Sequence, residues 1–138
     1  MKTPERKVII LITVMLFACV SVLSYAATPK PADVNCPATI EWQIDEQAEI
    51  TSFACEVGTF KKKTALIFTV AIKNTSKQAQ RYRLNIFLLD QDKAAGHLIP
   101  RKGKPPVVKS GETATVKVPF FNADTASKDL LVVLKTIE

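Results

Sequence analysis

Histidine is nearly missing from this chain: His97 is the only one among 138 residues. Zinc and copper centres draw on several Cys or His ligands, so the sequence offers no donor set for a resident metal of that kind. A nucleophile-base relay would have to rest on His97 alone, and no G-x-S-x-G motif marks a partner for it. Glycine is scarce, with 4 residues, and no glycine-rich phosphate loop is spelled. Cysteine amounts to 3 residues with no C-x-x-C pair, which removes a thioredoxin-like redox motif. The paired acids, Asp45-Glu46 and Asp90 with Asp92, stand at turns, where acids are favoured for backbone reasons. Asp90-Gln91-Asp92 opens like a calcium loop, but Lys93, Ala94, Ala95 and Gly96 follow where further oxygen ligands belong. The expectation is a protein without enzymatic activity, cofactor or metal. A hydrolytic enzyme using His97 is a distant alternative.

What the chain does have begins at its amino terminus. Arg6 and Lys7 precede an apolar run at 8–23, and Ser24-Tyr25-Ala26 follows. A positive region, an apolar core and a small-x-small site are the layout of a secretory signal peptide, here residues 1–26. Two other readings compete. A bilayer span needs roughly 17 to 25 residues, and the run is near the short end, but with residues 24–27 counted it also allows an uncleaved N-terminal anchor. Leu16-Phe17-Ala18-Cys19 loosely resembles a bacterial lipobox, but Phe17 is bulky and the apolar run continues past Cys19. Under each reading the remainder is exported, periplasmic or secreted, where disulfides persist.

A proline-bearing flexible leader is expected at 27–35, and one domain at 36–138. Ile40, Trp42 and Ile44 alternate with Thr39, Glu41 and Gln43, the period of a strand. After a polar break at 45–47 a second strand runs over 48–57. Its phase slips near Thr51-Ser52, which predicts a β-bulge. The break predicts a hairpin that brings Cys36 close to Cys55, an even pair expected to be oxidised. That bridge is worth about 3 kcal/mol in the chain-entropy view. A turn is expected from Gly58 through Lys61-Lys62-Lys63. Residues 64–73 are apolar or small on both faces, the mark of a central strand. Asn74-Thr75-Ser76-Lys77 is turn chemistry and also an N-x-S sequon. Tyr82, Leu84, Ile86 and Leu88 form the inward face of the next strand. Leu98-Ile99 and Val107-Val108 bracket a long hairpin tip at 100–106. Ala114, Val116, Val118 and Phe120 mark another inward face, and a last strand covers 130–137. About seven short strands with turn signals between them predict an all-β, antiparallel immunoglobulin-like β-sandwich.

Charge is unevenly placed along a chain whose formal net charge is +6. Residues 27–60 carry one base, Lys30, against Asp33, Glu41, Asp45, Glu46, Glu49 and Glu56; fifteen bases and six acids follow from Lys61 onward. Two basic elements are candidate contacts. One is the turn Lys61, Lys62 and Lys63. The other is the loop Arg101, Lys102 and Lys104, preferred because its prolines restrict the backbone and reduce the entropy lost on binding. Either suits phosphate or carboxylate groups. Protection of sheet edges by lysine and proline is the competing explanation. The expected partner is another envelope protein or an anionic surface. Nucleic acid is not expected, because export removes the usual target and no aromatic–basic interleaving stands out. Membrane contact is expected only if the N-terminal segment is retained.

The pieces Val70-Ala71-Ile72-Lys73-Asn74-Thr75-Ser76, Ile86-Phe87-Leu88-Leu89-Asp90 and Ser110-Gly111-Glu112-Thr113 follow one another across 66–120. This order of a V-x-N-x-S type turn, an aromatic-apolar strand end with an acidic turn, and a G-E-T type turn resembles the bacterial immunoglobulin-like modules called FxLYD domains. Leu89 stands where that family prefers tyrosine, and the cysteine pair lies outside the matched segment. The resemblance implies a sandwich and a non-catalytic role at the envelope or cell surface. It carries no catalytic residues.

Overall fold

The computed structural model describes residues 30–102 and 107–137. The signal segment at 1–26 and Lys104 lie outside the described residues. Eight strands follow in order: β1 (Asp33–Asn35), β2 (Thr39–Ile44), β3 (Ala48–Phe60), β4 (Lys63–Asn74), β5 (Arg81–Leu88), β6 (Lys93–Ile99), β7 (Thr113–Phe121) and β8 (Asp129–Ile137). They form two four-stranded sheets, ordered β1-β3-β4-β7 and β2-β8-β5-β6, with no helix among the described residues.

Strand alternation explains the two layers. β4 buries Leu66, Phe68, Val70 and Ile72 completely, and β5 buries Tyr82, Leu84, Ile86 and Leu88 from the other sheet. Full burial of one such aliphatic side chain is worth about 1.5–3 kcal/mol, so each sheet needs a cover for its apolar face and the other supplies it. β4 is paired on both sides, with β3 and β7, as its composition predicts. A row of rings crosses the interior: Trp42 to Phe53 at 5.1 Å, Phe53 to Phe68 at 5.5 Å, and Phe68 to Phe120 at 5.6 Å. Trp42 comes from the opposite sheet, so this row ties the layers together.

The expected bulge is present. Ile50 pairs with Ile72 and Ser52 with Ala71, leaving Thr51 as the extra residue. Its hydroxyl donates to the Ala71 carbonyl at 3.3 Å. The extra residue lets Ile50 and Phe53, of opposite parity, both point inward.

Three sequence expectations are corrected. Residues 45–47 do not turn a hairpin; they carry the chain from β2, in one sheet, to β3, in the other. Asp45 pins this crossing, accepting from the Gln47 amide at 2.9 Å and the Thr136 amide at 3.2 Å. The buried Tyr82 hydroxyl donates to the Gln47 carbonyl at 2.8 Å. The cysteines meet by a different route. β1 runs parallel to β3 with Asn35 opposite Ala54, which sets Cys36 beside Cys55, and their disulfide has a Cα separation of 5.0 Å. The segment expected as leader therefore ends in a strand. Second, β1–β3 and β2–β8 are parallel, so the sandwich is not wholly antiparallel. Both pairings belong to one N-terminal stretch that switches sheets. Third, 98–108 is not a hairpin. β6 pairs with β5, and Val108 bridges Gln80, so the connection leads from one sheet to the other. Alternation reveals which side chains face inward, but both sheets share one interior, and sheet membership stays hidden.

Asn74 shows what holds one end of the sandwich. It is fully buried. Its amide donates to the Gln78 carbonyl at 2.7 Å and the Val108 carbonyl at 2.8 Å, and its carbonyl accepts from the Ser76 amide at 2.9 Å. The sequon asparagine is therefore an internal clamp joining the end of β4 to the segments before β5 and β7. Asn74→Ala is expected to cost about 1–3 kcal/mol in total for the two amide bonds lost, because the Gln78 carbonyl still accepts from the Ser76 hydroxyl and the Val108 carbonyl from the Gln80 amide; measured by urea unfolding, a loss under about 0.5 kcal/mol would contradict the clamp. Replacing Cys36 and Cys55 together with Ala is expected to lower stability by about 2–5 kcal/mol. Free thiols on folded, natively exported protein would contradict the bridge.

Candidate functional site

The two basic elements fall at opposite ends of the sandwich. The Lys61-Lys62 turn joins β3 to β4 at the end where β7 finishes, since Ala65 pairs with Phe121. Arg101 and Lys102, both exposed, follow β6 at the end where β5 begins, since Ile99 pairs with Tyr82. They cannot act as one patch. The acidic and basic halves of the sequence separate sideways instead. β2 borders β3 across the layers and β6 borders β7, so β1 to β3 form an acidic flank opposite the later, basic strands.

The β3–β4 turn is tighter than expected. Gly58 lies within β3, and only Lys61 and Lys62 connect Phe60 to its partner Lys63. Both have positive φ, 48° and 64°. A two-residue connection of this kind suits Asn-Gly, and each non-glycine residue held left-handed costs roughly 1–2 kcal/mol. The chain places lysine at both positions.

Aromatic rings back these lysines. On the outer face of the first sheet the register sets Phe60 beside Lys63, and Gly58 and Phe121 on either side of the fully buried Ala65. The Phe60 and Phe121 rings lie 6.1 Å apart. The Lys61 Nζ stands 5.9 Å from the Phe60 ring centre, and the Lys63 Nζ 5.9 Å from that of Phe121. Such cation–ring contacts contribute about 0.5–1 kcal/mol when exposed. Ile67 and Pro119 continue the apolar strip inward along the same face, with Lys117 farther along. At this same end Val57 is 43% exposed, Leu89 56% and Phe121 40%, the large hydrophobic side chains that the described surface leaves open. β3 and β4 are the longest strands, and β1 pairs only with Ser52, Phe53 and Ala54, so the tip projects.

This geometry corrects the sequence reading on one point: aromatic and basic side chains do interleave. Part of the signal was present. Phe60 directly precedes the lysine run, and with Phe120 inward its neighbour Phe121 must point outward.

The other candidate residues are placed as follows. Asp90 accepts from the Ser127 hydroxyl and from the Lys128 amide, the latter at 2.9 Å. These bonds hold its carboxyl below the usual carboxylate range and tie the β5–β6 turn to the β7–β8 connection. No group of three or more His, Cys, Asp or Glu side chains is arranged to hold a metal among the described residues. His97 lies on β6 opposite Leu84, and its Nδ1 is buried without a hydrogen-bond partner. A general base is normally oriented by a bond at that nitrogen. No family model, curated protein or solved structure matches the chain.

Burial, and then the charge of Arg101, hold the His97 imidazole below its ordinary pKa. The unfolded chain therefore takes up a proton more readily than the folded one. Stability is full above the unfolded value of about 6.5 and declines as pH falls from there toward the lower folded value. His97→Gln is expected to flatten the loss of stability between about pH 7 and pH 5. An unchanged pH slope in urea titrations would contradict this.

Proposed function

We propose that this protein is an exported, non-catalytic interaction module of the cell envelope that docks on an anionic surface through the β3–β4 end of its sandwich. The amino-terminal signal layout and the disulfide support export, since such bridges persist outside the cytosol. The resemblance to FxLYD modules points the same way. The observation that carries the docking reading is the pair Lys61 and Lys62, kept in a left-handed turn against the local backbone preference and backed by two rings. Edge protection by itself does not require lysine at those two turn positions, because the turn is not the edge. The loop Arg101, Lys102 and Lys104 is the weaker candidate now that the hairpin that favoured it is absent.

The test is retention of the mature chain on an immobilised sulfated polysaccharide under a salt gradient. Exposed charge contacts weaken with salt because screening shortens from about 10 Å at 0.1 M to about 3 Å at 1 M. Lys61→Ala with Lys62→Ala and Lys63→Ala is expected to weaken retention about tenfold, at about 0.5 kcal/mol per exposed contact. Arg101→Ala with Lys102→Ala and Lys104→Ala is expected to leave it nearly unchanged. The opposite ranking would move the docking end to the other side of the molecule. Equal retention of all three proteins would contradict the proposal.

A further inference from the structure

The charges alone do not account for the β3–β4 end. A soluble polyanion is satisfied by ammonium groups, and a sugar ring that stacks on one phenyl face makes no use of the open aliphatic side chains of Val57 and Leu89. Yet Phe60 and Phe121 sit among the lysines, and Val57, Leu89 and Phe121 leave large apolar side chains open at this same end. The Phe60 ring stands at the end of β3 in the hairpin, and the Phe121 ring at the end of β7 beside it, both on the outer face of the first sheet. Open apolar side chains beside a lysine turn at the end of a two-stranded hairpin offer little area to a rigid protein surface, but they can enter a soft one.

We infer that this tip is a bilayer-interface anchor for anionic phospholipid. The inference rests on the docking proposal above and names its partner. Phe60 and Phe121 enter the boundary between headgroups and acyl chains, while Lys61, Lys62 and Lys63 reach the phosphates. Apolar area and attraction to anionic lipid act together in interfacial binding of this type. A lysine near an anionic leaflet contributes about fivefold to partitioning, and a ring taken out of water about tenfold or more. Acids do occur at this end. The Asp90 carboxylate is occupied by Ser127 and Lys128, Asp92 lies in the β5–β6 turn, and Asp124 and Asp129 belong to the stretch between β7 and β8. The outer face around the two rings carries Lys61 and Lys63 in ring contact and has Glu56 four pairs back from the Phe60–Lys63 pair, opposite Ile67. The tip therefore presents positive charge around an apolar centre. Two lysines held left-handed at its apex fit this role, because their ammonium groups lead the approach.

The test uses the mature chain from its native envelope and vesicles of phosphatidylcholine with or without about one third phosphatidylglycerol, all variants sharing one amino terminus. Wild type is expected to sediment with the anionic vesicles and to be released by salt. Phe60→Ser with Phe121→Ser is expected to lose at least about tenfold in vesicle affinity while keeping wild-type retention on the sulfated polysaccharide. Lys61→Asn with Lys62→Gly is expected to melt at higher temperature yet bind vesicles roughly twentyfold more weakly. Phe121→Trp supplies a measurement that does not depend on tolerating serine: brominated phosphatidylglycerol is expected to quench its fluorescence beyond the background of Trp42. Polysaccharide binding without vesicle binding would overturn the anchor and leave the docking proposal standing. Binding to neither would overturn both. Equal vesicle affinity of the serine variant and wild type, or no added quenching, would also overturn the anchor.

Discussion

One extra residue sets the geometry of this protein. Thr51 bulges from β3, and every side chain after it takes the opposite face from the one strict alternation would give. Because of that shift Phe53 meets Trp42 in the interior and Cys55 points toward Cys36. The same shift sends Glu56, Gly58 and Phe60 outward. Without the bulge the Phe60 ring would face the inter-sheet side, and Phe121 would have no aromatic neighbour outside. The interior and the candidate docking tip are thus two results of one local irregularity. The Thr51 hydroxyl bond to the Ala71 carbonyl holds it in place.

The N-terminal stretch depends on that parity as well. β1 supplies only three residues to the first sheet, a short pairing for a strand. The disulfide immediately after it fixes β1 to β3 covalently. The chain then passes to the second sheet as β2, returns through the Asp45 crossing and begins β3. Burial acts to raise the Asp45 pKa, but backbone bonds from Gln47 and Thr136 outweigh it and hold the carboxyl below the usual range. Asp45 in turn adds to burial in pushing the Tyr82 hydroxyl up to about 12. The crossing is therefore an ordered junction in which an ionised carboxylate and a neutral phenol keep their hydrogen bonds across neutral pH.

Much of this was legible in the sequence, and the missing part has a definite physical origin. Inward faces could be read wherever alternation was clean, as in Leu66 to Ile72 and Tyr82 to Leu88. The slip at Thr51-Ser52 could be read because two apolar residues of opposite parity cannot both be buried on a regular strand. The cysteine partners were legible from their count, but the path that unites them was not, because a strand that switches sheets has the same alternation as one that turns back. The same ambiguity made 98–108 look like a hairpin. At the candidate site the lysine run was visible, while the pairing of Phe60 with Phe121 was not. It joins residues far apart in sequence through the register of β3, β4 and β7. The left-handed backbone of Lys61 and Lys62 was hidden too, since the sequence lacks the Asn-Gly that marks such turns.

The most direct measurement is a map of which backbone amides respond when isotope-labelled mature chain is titrated with bicelles containing phosphatidylglycerol. Broadening is expected to concentrate at residues 57–65 and 119–122, with a weaker response at Leu89, and to vanish in bicelles of phosphatidylcholine alone. A response centred on 100–108, or spread evenly over both ends of the sandwich, would contradict the assignment of the β3–β4 tip as the surface that this protein presents to its partner.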